Sequence, residues 1–320
     1  MGEQIQVSVV CNAYNHEGYI RDALDSFLMQ KTDFAYEILV HDDASTDHTA
    51  DIIREYEAKY PELVKPIYQT ENQYSKGVQI ALEIQIPRAQ GKYLAFCEGD
   101  DYWTDPLKLQ KQFDALEAHP EVDMCAHAGM KVQADTKQVL EAVAPRGEDC
   151  VISVEDVILG EGGFVVTNSL MYRASMERDI PRFRKNFNLD YAMQIHGALR
   201  GGLLYLADCM SAYRYMSVGS WTSRQQASRQ RRELLLQQRQ TMLAELNEDT
   251  DRAYEKAIEE RALKNEFQFR CDEKQFRKAL DRKYRSIHKE NGVISYGKLC
   301  VKALFPFLDG ITQPFRRNGG

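Results

Sequence analysis

In the stretch KYLAFCEGDDYW, Lys92 to Trp103, an apolar run ends abruptly in Glu98, Asp100 and Asp101. Carboxylates packed this closely repel one another unless something cationic lies between them. Three arrangements would tolerate them. They could form a solvated turn, or open a helix whose free amides accept negative charge. Or they could hold a hard divalent cation that itself bridges to phosphates. A second acidic pair, Asp42 and Asp43, follows the apolar run Tyr36 to Val40. It too can be read as a turn with a helix cap, because Ser45, Thr46 and Asp47 come next.

The elements around these residues narrow the choice. Ile5 to Val10, Tyr36 to Val40 and Tyr93 to Cys97 are short runs rich in β-branched and aromatic residues, the pattern of buried strands. Between them Ile20, Leu24, Phe27 and Leu28 recur at helical spacing, as do Ile52, Ile53, Tyr56 and Tyr60. Val78 to Ile86 reads as a third helix stopped by Pro87, and Leu107 to His119 as a fourth, with Pro106 at its start. Strands alternating with helices predict an α/β, doubly wound sheet, whose ligands bind at the carboxyl ends of the strands. Both acidic clusters fall at such ends, as does Cys-Asn-Ala-Tyr-Asn after the first strand. Further on, DMCAHAGMKV, GFVVTNSLMYR, LLYLAD and SAYRYM read as strands of a mixed sheet, and Leu189 to Leu199 as a helix. From Ser223 the chain is long, Gln/Arg/Glu-rich and without Gly or Pro until Gly292, a helical appendage that could pack on the front domain or on another subunit.

Composition limits the function classes. Before Trp221 there are 20 basic against 34 acidic residues, and from Trp221 onward 21 against 14. An acidic front part argues against nucleic-acid binding. The seven cysteines form no Cys-x-x-Cys pair, which points to free thiols in a reducing compartment. No apolar run is long enough to span a bilayer, and the N-terminus lacks a signal-peptide pattern.

The segments VSVVCNAYNHEGYIRDALDSFLMQ, EILVHDDASTDHTADIIREY and GKYLAFCEGDDYWTDPLKLQKQ, in this order, resemble family 2 glycosyltransferases of the A-type, Rossmann-like fold. The resemblance runs from about Gln6 to Met216. It implies a catalytic domain over residues 1–221, with a nucleotide-sugar half to about 105, an acceptor half beyond, and a helical region over 222–320. It further implies that Asn12, Ala13 and Tyr14 lie against the nucleotide base, that Asp42 and Asp43 bond the base and ribose, and that Lys76 supplies a basic contact. Glu98, Asp100 and Asp101 overlie the DxD element, which holds the ribose and a divalent metal (Mn²⁺ or Mg²⁺) on the diphosphate. Glu98 stands where Asp is usual. Asp190, in FNLDYAMQ, matches the general base beneath the acceptor, and its bland reading is a helix cap.

Trp103 follows the acidic cluster and is expected to contact the acceptor. Trp221, after Gly219-Ser220, could close over a sugar or pack the tail, and Arg214 or Arg224 could meet phosphate. Processive members carry a Gln-x-x-Arg-Trp element and membrane helices, neither of which is present. The expected reaction is transfer of one sugar, with inversion, from a nucleotide sugar such as a UDP-sugar to a saccharide or lipid-linked saccharide in the cytoplasm. A nucleotidyltransferase would need a Gly-rich phosphate loop where CNAYNHEGY stands. A catalytically silent binding or scaffold protein is the other alternative. The segment Ile294 to Arg317 interleaves apolar residues with Lys298, Lys302, Arg316 and Arg317, and could meet a membrane surface or form a homodimer contact.

Overall fold

The computed structural model describes residues 4–187, 189–215, 217 and 228–305. Ten strands form one sheet: β1 (Ile5–Ala13), β2 (Ala35–Asp42), β3 (Val64–Tyr68), β4 (Tyr93–Phe96), β5 (Tyr102–Trp103), β6 (Met124–Gln133), β7 (Val139–Val143), β8 (Cys150–Ile152), β9 (Met171–Arg173) and β10 (Leu203–Tyr215). Their order is β3-β2-β1-β4-β9-β6-β10-β5, with β7 on β6 and β8 on β10. β3, β2, β1 and β4 run parallel, and β9 reverses direction between β4 and β6. This is the doubly wound mixed sheet that the strand and helix alternation predicts. In β1, Val7 to Cys11 are buried without interruption, as expected of a strand covered on both faces.

Among the described residues the α-helices are α1 (Ile20–Leu28), α2 (Thr49–Lys59), α3 (Lys108–Ala118), α4 (Val154–Gly160), α5 (Arg182–Asn186), α6 (Asp190–Ala198), α7 (Arg229–Asp249), α8 (Glu255–Asp272), α9 (Phe276–Ala279) and α10 (Arg285–Leu304). α1 buries Ile20, Ala23, Leu24 and Phe27, one apolar stripe at three- and four-residue spacing. Gly91 lets the chain cross β1 closely: a Cβ there would lie 2.5 Å from the Ser8 nitrogen.

Three expectations change. Val78–Ile86 is not an α-helix. A π-helical turn, Ile80–Gln85, passes into a 3-10 turn, Ile86–Arg88, with Pro87 inside it. There the buried Gln85 amide donates to the carbonyls of Cys11 (3.0 Å) and Leu39 (3.2 Å), so tertiary bonding of the neighbouring strand ends overrides local helical propensity. GFVVTNSLMYR is a strand only over Met171–Arg173, because Thr167–Ser169 forms a 3-10 turn. LLYLAD and SAYRYM form one strand, β10, bent by register shifts near Cys209. Of the two packings open to the helical appendage, α7 and α8 take the front domain: Met242, Leu243, Leu246, Ala257 and Ile258 share a buried cluster with Ile158, Tyr191 and Ile195. Phe276, Ala279, Leu299 and Ala303 form a separate small core further along.

Candidate active site

Parallel register aligns the strand ends. Asn12 of β1 sits beside His41 of β2, and Ala13 beside Asp42. The two turns that follow are cross-linked: the Asn15 amide donates to Ser45 Oγ at 2.9 Å, and Asn15 Oδ1 accepts from the Thr46 amide at 2.8 Å. Asn15 (φ 56°) and Ala44 (φ 61°) are left-handed there. The helix start after β2 is served by Asp47, which accepts from the Thr49 amide at 2.9 Å. Asp42 and Asp43 are therefore free of the capping role.

Both are buried, with different partners. Asp43 accepts from the backbone amides of Gln73 (2.7 Å) and Tyr74 (3.0 Å), so its carboxylate organises the loop before Lys76. Asp42 Oδ1 and Asn12 Oδ1 are buried with no hydrogen-bond partner among the described residues. Buried polar atoms without partners are costly, so these two await a ligand or water. Ala13 is buried, its carbonyl accepting from the Asp43 amide at 2.9 Å, while Tyr14 is 41% exposed at the rim. Lys76 is exposed and paired with Glu71.

The acidic motif leaves β4 as a tight loop. The Gly99 amide donates to the Asn12 carbonyl at 2.9 Å, and the Asp101 amide to the Glu98 carbonyl at 3.0 Å. A Cβ on Gly99 would sit about 3 Å from side-chain atoms of His16, Ile20 and Ala13, so a larger residue there would have to push these neighbours apart. Asn12 Nδ2 donates to Glu98 Oε1 at 3.3 Å. Burial first, and Asp100 second, push the Glu98 carboxyl up to about 7. Asp190 adds a smaller part of that rise. Asp101 is also raised, by burial and then by Asp100. Its Oδ1 accepts from the Arg214 amide at 2.7 Å, and Ser217 Oγ donates to Asp100 Oδ2 at 2.6 Å.

No group of three ligating side chains is arranged for a metal among the described residues. The carboxylates do suit a divalent ion that takes its remaining ligands from a diphosphate, as Mg²⁺ commonly does. Glu98 and Asp100 are held by the Asn12 amide and the Ser217 hydroxyl at Oε1 and Oδ2, whereas Asp101 Oδ1 is turned to the Arg214 amide.

Asp190 is the first residue of α6. Its Oδ2 accepts from Thr167 Oγ1 at 2.5 Å, and burial raises its pKa against the lowering effects of that hydroxyl, the Tyr191 amide and Arg239. His196 lies on the same helix but is packed against Arg184 (3.0 Å) and held neutral, its pKa lowered to about 4 by burial and then by Arg184.

Two expectations about side chains fail. Trp103 does not face the acceptor: it is 1% exposed, tilts against Phe27 at 4.8 Å, and donates from Nε1 to the Asn168 carbonyl at 2.9 Å. Arg214 does not meet phosphate. It is buried and donates to the carbonyls of Asp100 (2.7 Å) and Ala134 (3.2 Å), pairs with Asp22, and lies over the rings of Tyr102 and Tyr19. Trp221 and Arg224 lie outside the described residues. The sequence reading missed Ser217, Thr167 and Arg239. A lone hydroxyl, or one arginine in an Arg-rich helix, carries no periodic signal.

A parallel sheet with carboxylates on its carboxyl edge, faced by a helix opening with a further carboxylate, is the architecture of A-type glycosyltransferases. The family model described as "Glycosyl transferase family 2" matches residues 8–219, and the chain belongs to that family. An uncharacterised protein of Mycobacterium tuberculosis is 40% identical over 218 residues, 68% of this chain. The chain spans 61% of that relative's length. The UDP-Glc:α-D-GlcNAc-diphosphoundecaprenol β-1,3-glucosyltransferase WfaP of Escherichia coli is 35% identical over 111 residues, 35% of this chain and 41% of that protein. Staphylococcus aureus TarS 1–349, solved with UDP-GlcNAc, superposes with a TM-score of 0.64 at 18% identity, over 96% of this chain and 82% of that one. The mannosyltransferase PcManGT of Pyrobaculum calidifontis, solved with GDP-Man and Mn²⁺, gives 0.58 at 16% identity, over 97% and 85%. The two structures share the fold.

Proposed function

We propose that this glycosyltransferase moves one hexosyl or N-acetylhexosaminyl group, with inversion, from a nucleotide-diphosphate sugar (a UDP-sugar) to an acceptor hydroxyl in bacterial surface-polysaccharide synthesis. The observation that carries the reading is the pair of buried, unpartnered oxygens of Asn12 and Asp42 at neighbouring strand ends, with the Asn12 amide also bonded to Glu98 Oε1 at 3.3 Å. Two strand ends and the acidic loop after β4 thus meet at one polar edge.

The unpartnered oxygens of Asn12 and Asp42 are suited to donors on the base and ribose, and Tyr14 and Lys76 border the same edge. Glu98 and Asp100 would hold a divalent ion, which as a Lewis acid would stabilise the leaving diphosphate. Asp190 takes the proton of the acceptor hydroxyl. Its raised pKa makes it a stronger base than a solvated carboxylate, and the Thr167 hydroxyl fixes its orientation. An inverting transfer needs only this single base and an in-line attack.

The acceptor side of this reading includes a membrane. Beyond the kink at Gly292, α10 leaves Val293, Ile294, Val301 and Leu304 exposed, with Lys298 and Lys302 on the same stretch. An apolar stripe with cations suits the anionic inner surface where a lipid-linked saccharide would be presented. Among the described residues, no helix is long and apolar enough to cross a membrane.

The donor is tested by thermal stabilisation with UDP-, GDP- and TDP-sugars, each with Mn²⁺ and with EDTA. A metal-dependent rise in Tm with one nucleotide sugar is expected. No stabilisation by any of them would count against the proposal, and stabilisation without any turnover would favour a silent binding protein.

A further inference from the structure

Two arginines of the C-terminal helices reach back to the loop that borders Asp190. Arg239 of α7 pairs with Glu161, and Arg261 Nη2 of α8 lies 3.7 Å from the same carboxylate. Arg261 Nη1 also donates to the Leu159 carbonyl at 3.1 Å. The loop they grip is strained. Glu161 has φ 64° and ψ 177°, a region that is nearly glycine-only and persists elsewhere only when the surroundings impose it. Gly160 and Gly162 flank it, yet the residue in that conformation is the one carrying the charge.

The strained loop is also the wall of the base. A Cβ on Gly162 would lie 3.3 Å from Tyr191 Cβ and 3.5 Å from Asp190 Oδ1. The Gly162 carbonyl accepts from Gln194 Nε2 at 3.2 Å, and Tyr191 donates its hydroxyl to the Ile158 carbonyl at 2.6 Å. The loop is thus held on one side by α6, which carries Asp190, and on the other by α7 and α8. Arg239 Nε is buried with no hydrogen-bond partner among the described residues, so Glu161 is the main polar contact holding that side chain. The charge of Arg239 also acts on Asp190, favouring its ionised form.

We propose that Arg239 is a positioning residue for the transfer reaction, clamping Glu161 in its strained conformation so that the Gly160–Gly163 wall fixes Asp190. The C-terminal helices are then a working part of the acceptor side. This rests on Asp190 being the base. It separates from the donor side, because Asn12, Asp42, Glu98 and Asp100 sit on β1, β2 and the loop after β4.

The test compares Arg239→Met, Arg239→Lys, Glu161→Ala, Glu161→Gly and Asp190→Asn by nucleoside diphosphate release from a panel of UDP- and GDP-sugars with Mn²⁺. Donor KM and Tm are measured alongside. Arg239→Met should lower kcat by about tenfold to a hundredfold, the scale of a misplaced catalytic group. Donor KM should stay unchanged, and lysine should restore most of the rate. Glu161→Ala is the sharper variant: it removes the clamped carboxylate and leaves a residue that disfavours this backbone conformation, so kcat should fall. Glu161→Gly adopts the conformation without a clamp and should keep most of the rate. If Arg239→Met loses its fold, the alanine and glycine variants decide. Wild-type kcat in Glu161→Ala, with Asp190→Asn inactive, would overturn the clamp. Full activity in Asp190→Asn would instead remove the base assignment.

Discussion

The backbone N–H of Arg214 donates to Asp101 Oδ1 at 2.7 Å across 113 residues of sequence. The same arginine donates from Nη1 to the Asp100 carbonyl at 2.7 Å and pairs with Asp22 of α1. One buried residue therefore sets the position of the acidic loop from its backbone and its side chain together. Asp101 is a structural acceptor in this arrangement, and the proposed metal and diphosphate contacts therefore fall to Glu98 and Asp100.

Arg214→Met should destabilise the fold. Losing one partner of a fully buried ion pair costs about 3–5 kcal/mol, and roughly 2–3 is expected here because Asp22 is a third exposed. Thermal unfolding would measure it. Nucleotide binding should weaken as well, since the acidic loop loses its anchor. A variant with unchanged Tm would show that the loop holds itself.

Asp100→Ala and Asp101→Asn should separate. The first should abolish the metal dependence of nucleoside diphosphate binding. The second keeps the Arg214 acceptor through the amide oxygen and should bind nearly as well. Calorimetry with UDP and GDP, with Mn²⁺ or EDTA, distinguishes them, and equal affinity in EDTA for the wild type would remove the metal.

Lys108 predicts a pH dependence. It is buried, its ammonium lies 3.9 Å from the Trp103 ring, and burial lowers its pKa from 10.5 to about 7. The unfolded chain binds this proton up to about pH 10.5, whereas the folded chain releases it from about pH 7. This contribution to stability therefore increases from about pH 7 to about pH 10.5. Lys108→Met should flatten that dependence and stabilise by about 1–4 kcal/mol near neutral pH, as replacing buried charge often does. A lower Tm in the variant at pH 7 would mean that the cation and Trp103 interact favourably overall.

Membrane contact is tested by co-sedimentation with anionic liposomes. The protein should pellet at low salt, and Val293→Asp with Ile294→Asp should release it without loss of folding. Protein that stays in the supernatant at low and moderate salt would contradict the contact. A change in oligomeric state on the same substitutions would then assign the stripe to a dimer.

Much of this site was legible in the sequence because period and position both pointed to it. β1, β2 and β4 are largely apolar runs, carboxylates mark the ends of β2 and β4, and Asn12 to Asn15 mark the end of β1, so a parallel sheet must gather them on one edge. The direction of Trp103 was not legible. β5 has only two residues, Tyr102 and Trp103, and alternation over so short a strand does not say which side chain turns inward. Nor was the fate of Asp43, whose partners are backbone amides in a loop without sequence signature. Glu161 and Arg239 are 78 residues apart, and the strain at Glu161 is a backbone property that its neighbouring glycines disguise.

We propose that Asp190, at the start of α6, serves as base beside a nucleotide-sugar site at the sheet edge. Asp190→Asn keeps the size and the Thr167 contact but cannot accept the proton. Sugar transfer or donor hydrolysis by wild type and Asp190→Asn, with donor affinity determined in parallel, tests this directly. The rate should fall by roughly 10²–10⁴-fold with donor affinity retained. A variant that binds donor and turns it over at the wild-type rate would contradict it.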